Sequence, residues 1–168
     1  MSVRQFVLWP DKRLKTRAEP IGTVDDSIQA LWNEMAEAMY AMPGVGLAAP
    51  QIGVLKRVAV VDCSNGKGAI VKMANPEIID LSEKFAEHEE ASPNLPGVSA
   101  KIRRPRALTV SYLDSHGVRV RKDFVGLWAA SVQHQIDHLN GRMYFDNLSA
   151  VKRKMLLARA SKLSKREG

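Results

Sequence analysis

The sequence predicts an α+β fold in a single domain spanning residues 1–168. Two observations carry this. Helical periodicity is confined to the ends of the chain, and the short β-like runs cluster between them. Repeated strand–helix–strand alternation, the mark of a parallel α/β sheet, is absent from the pattern.

Residues 25–42 form the first helix, with Ile28, Leu31, Trp32, Met35, Met39 and Met42 at helical spacing behind an acidic first turn. Pro43-Gly44 stops it. The following "GVGLAAPQIG" is too rich in Gly and Pro for a regular element. β-like runs then occupy 56–62, 69–73, 77–81 and 84–92. "ALTVSYLD" and "VRVRKDFVG" flank Ser115-His116-Gly117, which suits a hairpin turn. A second helix covers about 126–140 and ends at Gly141, a good C-cap. A third begins near Ser149 and runs to about 166. It sets Val151, Met155, Ala158 and Leu163 on one face, with cations elsewhere.

Composition narrows the class. With 45% apolar and 26% charged residues the chain matches an ordinary globular protein. It has no apolar run of membrane-spanning length, and "MSVRQFVLWPDKRL" lacks a signal-peptide core, so a cytoplasmic protein is expected. The one cysteine, Cys63, excludes an internal disulfide and reads as a packed thiol. Charge is uneven. Seven Lys/Arg against Glu167 alone fall within 148–168, a surplus of six out of the formal net +7. Electrostatic affinity for nucleic acid therefore belongs to the third helix, while a membrane-surface role is disfavoured by its narrow apolar face.

The chemistry concentrates in "SVQHQIDHLNG". His134 and His138 are four apart, one above the other on a helix face, which lets two imidazoles share a tetrahedral metal. Between them Gln135 stands where H-E-x-x-H has a proton-transferring glutamate. Taken with "WPDKRLKTRAEPI", "PGVGLAAPQIGVLKRVAVVD" and "LPGVSAKIRRPRALTVSYLDSHG", this segment resembles the peptide deformylase family. Those enzymes are metallohydrolases that remove the formyl group from the initiator methionine of nascent chains. The resemblance implies mainly antiparallel strands packed around a central metal-site helix, with N- and C-terminal helices.

The resemblance also implies roles. The first motif is intact as Gly44, Gly46, Ala48, Ala49 and Gln51, with Gln51 holding the formyl oxygen. Gly44, Val45, Gly46, Pro93, Asn94 and Leu95 fall at substrate-binding positions, and Glu90 is expected to pair with Arg104. Three positions depart from the family's pattern. Ser92 replaces the metal-binding cysteine, and a neutral hydroxyl is a far poorer ligand than a thiolate. Gln135 replaces the general base, a role worth roughly 10²–10⁴ in rate. Pro93 removes a backbone N–H from the oxyanion site, a donor worth on the order of 10²–10³.

These departures lead to the expectation of a binder of nascent-chain N-termini, or of ribosomal RNA through the third helix, that has lost the reaction. Its cofactor is expected to be none, or a weakly held Zn or Fe on Ser92, His134 and His138. The alternative is a metal-dependent hydrolase acting on N-formylmethionyl peptides with low or altered activity. A Ser92–His134 nucleophile pair is a third reading.

Overall fold

The computed structural model describes residues 5–167; the first four residues and the last of the expected 1–168 span lie outside them. Helix α1 is Asp26–Ala41. Its N-cap Asp25 accepts from the Ile28 amide at 3.1 Å, satisfying one of the donors a helix start leaves open. Strand β1, Gly46–Ala48, follows, then β2, Val58–Val61, and the long β3, Val71–Leu81. β4 is Phe85–Glu90 and β5 is Ala100–Pro105. β6, Ala107–Leu113, and β7, Arg119–Val125, form the expected hairpin. Helix α2, Gly126–Leu139, and helix α3, Ala150–Glu167, complete the chain.

The strands make an antiparallel five-stranded sheet, β1-β2-β3-β6-β7, and a separate β4-β5 ribbon. β2 explains the layering. Its four residues are all buried, and alternate side chains of a strand point to opposite faces. Val58 and Val60 pack with Trp32, Met35 and Met39 of α1. Ala59 and Val61 pack with Ala129, Val132 and Ile136 of α2. The sheet is thus covered by one helix per face near β1 and β2, giving the α+β architecture expected. A further core gathers Leu14, Leu95, Ile102, Tyr144 and Phe145 under α3.

Four elements differ from expectation. The runs at 69–73 and 77–81 are one strand, because register shifts between Ala74 and Glu77 and between Ile78 and Asp80 accommodate Pro76 and the left-handed Asn75 (φ 48). Part of the Gly/Pro-rich segment is regular: β1, then a 3-10 turn over Ala49–Ile52. The run at 84–92 leaves the ribbon at Glu90, and its partner β5 has no separate apolar signal because its sequence, "AKIRRP", is mostly charged. In α3 the buried residues are Leu156 and Ala160, with Leu157 and Leu163 beside them, while Val151 and Met155 face solvent. Both stripes have helical spacing; Tyr144 and Phe145 below select the leucine one.

Helix α2 is held at its C-terminal end. Arg57 donates to the Leu139 carbonyl at 2.8 Å and to Asn140 Oδ1 at 3.0 Å, a cation at a helix C-terminus. Gly141 (φ 75) then turns the chain where a Cβ would lie 2.8 Å from the Lys15 carbonyl oxygen. No helix among the described residues is long and apolar enough to cross a membrane.

Candidate active site

A cavity of about 370 Å³ opens between α2, β4 and the segment entering β1. Gly44, Val45, Gly46, Gln51, Glu90, Ser92, Pro93, His134 and Gln135 all line it. These come from three distant parts of the chain, residues 44–51, 90–93 and 134–135, brought together by β1, β4 and α2. Asn94 and Leu95, expected among the substrate contacts, are placed elsewhere. Asn94 is fully buried behind the cavity wall and Leu95 packs in the core under α3. His138 is buried behind His134, and Arg104 lies behind Glu90.

The histidines are fixed by a charged network. Arg104 forks onto Glu90, with Nε to Oε2 at 2.7 Å and Nη2 to Oε1 at 2.9 Å. Its remaining Nη1 donates to Asp137 at 2.9 Å. Glu90 Oε1 also meets His134 Nδ1 at 2.8 Å. Burial pushes the Glu90 carboxyl up, but the hydrogen bonds from His134 and Arg104 and the Arg104 charge outweigh it and hold it below the usual carboxylate range. A carboxylate only accepts, so His134 Nδ1 carries the proton and Nε2 presents its lone pair.

That lone pair faces His138 Nε2 across 3.2 Å. Burial, then the fields of His134 and Arg104, push the His138 ring well below its ordinary pKa, so it is neutral. Its other nitrogen, Nδ1, is buried without a hydrogen-bond partner. A divalent ion with Zn–N distances near 2.0–2.1 Å would place two tetrahedral ligands roughly 3.3–3.4 Å apart. The imidazole pair therefore fits a shared metal. The third donor does not reach the same standard: among the described residues no three His, Cys, Asp or Glu side chains converge on one point, which leaves the Ser92 hydroxyl.

Ser92 is committed elsewhere. Its Oγ donates to Asn94 Oδ1 at 2.9 Å and lies 3.4 Å from Gln51 Nε2. No bond joins it to His134, so the nucleophile-pair reading finds no support. Gln51 is held from both ends of its amide: Oε1 accepts from the Ala48 amide at 2.9 Å, and Nε2 donates to Asn94 Oδ1 at 2.7 Å. Asn94 is thus the positioning residue for Gln51, a role its place in the sequence does not announce. Gln135 keeps Oε1 buried and unpartnered, while its Nε2 packs against Gly46 so closely that a Cβ there would overlap it. A Cβ at 46 would force the Gln135 amide and the Ser131 hydroxyl to shift.

Sequence reasoning also missed Met42, Leu127, Ala130 and Ser131, which line the cavity. Leu127, Ala130, Ser131 and His134 follow the 3–4 spacing of one helix face, and that spacing was the available signal. Cys63 is half-buried beside Val45, and burial pushes its thiol up to about 11, consistent with an inert packed group.

The chain matches the polypeptide deformylase family over residues 3–154. It is 39% identical to a peptide deformylase of Methylocella silvestris over 98% of this chain and 87% of that one. It is also 39% identical to one of Cellvibrio japonicus over 98% of each. The chain belongs to the peptide deformylase family. A crystal structure of a family member from Legionella pneumophila superposes with a TM-score of 0.91 at 38% identity, covering 99% of this chain and 98% of that one.

This finding corrects the expectation that the reaction has been lost. Relatives 38–39% identical over nearly the whole chain are named peptide deformylases, and the reading of the chain as a pseudoenzyme does not stand against them. The coincidence of Ser92, Pro93 and Gln135 at the chemistry pointed to loss; the likeness of nearly the whole chain to named deformylases overturns it. The imidazole pair, Gln51 and the cavity around them are all in place.

Proposed function

We propose that the chain is a metal-dependent hydrolase that removes the formyl group from N-formylmethionyl peptides, at a rate altered by Ser92, Pro93 and Gln135. The observation that carries this reading is the 3.2 Å approach of His134 Nε2 and His138 Nε2 at the wall of a cavity that also contains Gln51. His134 and His138 would hold the metal, with Ser92 as a weak neutral third donor. Such an ion polarises a carbonyl and makes water more acidic.

The chain's own groups supply the rest. β1 and β4 are each paired on one side only, with β2 and β5, so each offers a free edge to the backbone of an extended peptide. Gln51 Nε2 gives its second hydrogen only to a long 3.4 Å bond with Ser92 Oγ, which a formyl oxygen entering the cavity would replace as acceptor. Pro93 supplies no amide donor beside it, so Gln51 works without that second hydrogen bond. Gln135 Oε1 is buried without a partner, and an amide does not carry a proton onward at neutral pH. The test is formate release from formyl-Met-Ala-Ser by protein loaded with Fe, Zn or Ni. Turnover that disappears in His138→Ala supports the proposal; no turnover with any of the three metals refutes it.

For partners we propose nascent-chain N-termini in the cavity and ribosomal RNA along α3. The second rests on Lys152, Lys154, Arg159, Lys162 and Lys165, all exposed. Such contacts weaken steeply with salt, so co-sedimentation with ribosomes that is unchanged between low and high salt would rule it out.

A further inference from the structure

The cavity has an end that the hydrolytic groups do not use. From His134 one wall follows α2 through Ser131 and Ala130 to Leu127, and the facing wall follows β4 from Glu90 to His88. Residues two apart on a strand share a face. Glu90 points inward to His134, so the His88 imidazole points inward too, roughly 7 Å along the strand. Burial agrees: Ala86 and His88 are half-buried and Glu90 buried, alternating with exposed Phe85, Glu87 and Glu89.

Among the described residues His88 has no hydrogen-bond or ion-pair partner. The lining it shares includes the apolar side chains of Val45, Leu127 and Ala130. Ser131 spends its hydroxyl hydrogen on the Val45 carbonyl at 3.0 Å, leaving only lone pairs to offer. Among the described residues no Lys or Arg lines the cavity, Glu89 does, and the Glu90 charge is already matched by Arg104. An anionic side chain meets no cation here. A hydrocarbon side chain strips water from an imidazole N–H and gives nothing back. An uncharged oxygen acceptor satisfies that donor.

We propose that His88 is a specificity-determining residue, making this end of the cavity a subsite for an uncharged side chain of about methionine's length that ends in a hydrogen-bonding oxygen. Methionine sulfoxide and glutamine belong to that class. The inference rests on the hydrolase reading only in assigning the residue after the formyl group to this end.

The test compares formyl-Met(sulfoxide)-Ala-Ser with formyl-norleucine-Ala-Ser on the metal-loaded full chain, in wild type, His88→Leu and His88→Asn. The sulfoxide-to-norleucine ratio of kcat/KM falls about tenfold in His88→Leu, the value of one neutral hydrogen bond. His88→Asn, which keeps an N–H, retains part of it. A ratio unchanged in both variants overturns the proposal. Kd values for the same two peptides, measured by calorimetry on the metal-free chain, give the same ratio without chemistry. If no peptide is hydrolysed, the hydrolase reading fails while the Kd ratio still decides the role of His88.

Discussion

Replacing Arg104 by methionine should be among the most damaging single changes in the molecule. The guanidinium makes three charge-assisted hydrogen bonds, at 2.7 and 2.9 Å to Glu90 and 2.9 Å to Asp137, and all three side chains are at least 85% buried, with exposures of 6%, 7% and 15%. Methionine fills much of the volume but leaves Glu90 facing His134 alone and Asp137 without its cation. Breaking a buried pair from one side costs about 3–5 kcal/mol. With an unfolding entropy near 2.1 cal/mol/K per residue, that is a fall in Tm of roughly 9–14 °C for a chain this long. Circular dichroism melts of the metal-free protein give the value, and urea titrations check it. The loss depends on pH. A carboxyl whose folded pKa is depressed contributes stability above its unfolded value, about 4.3, and loses it as pH falls through the folded one. Glu90 is such a group, so the gap between wild type and variant narrows below about pH 4. Arg104→Met/Glu90→Leu should recover part of the loss. A single variant within about 1 kcal/mol of wild type at pH 7 would refute the assignment of this network as the support of the histidines.

Other consequences can be checked separately. Gln135→Glu supplies the missing proton carrier and should raise kcat by about 10²–10⁴; an unchanged kcat would mean that proton transfer is handled elsewhere. Ser92→Cys should tighten zinc binding, read by competition with a chelator, because a thiolate replaces a hydroxyl already tied to Asn94. Gly46→Ala forces its Cβ into the Gln135 amide and to 2.5 Å from Ser131 Oγ, and should cost about 1–3 kcal/mol by overpacking along with any turnover; the urea midpoint and formate assay read both. Tyr40 donates to Asp62 at 2.5 Å, and that bond first, then burial, pushes its phenol up to about 12. Asp62→Asn should return its titration toward 10, followed by NMR of the ring.

Legibility in the sequence followed the kind of interaction involved. α1 and α2 were readable because their apolar positions repeat with helical spacing, and the β6–β7 hairpin because Ser115-His116-Gly117 separates two alternating runs. β5 was not, since a ribbon strand with one exposed face shows charge where a core strand shows valine. Gly44, Gly46, Gln51 and His134, which face the cavity, were found through local motifs, whereas Leu127, Ala130 and Ser131 were not. The Asn94–Gln51 and Glu90–His134 bonds join residues 43 and 44 positions apart, and no local pattern records such a pairing. Single-position chemistry also misled. Ser92, Pro93 and Gln135 together argued against activity, while the histidine pair, Gln51 and the free strand edges of β1 and β4 are all present.

Formate release from formyl-Met-Ala-Ser by the unmodified chain, purified free of host enzyme and reconstituted with a divalent metal, tests the central claim most directly. Metal-dependent turnover is expected, lost in His134→Ala and increased in Gln135→Glu. No formate from the reconstituted chain, with the fold intact by circular dichroism, would contradict it.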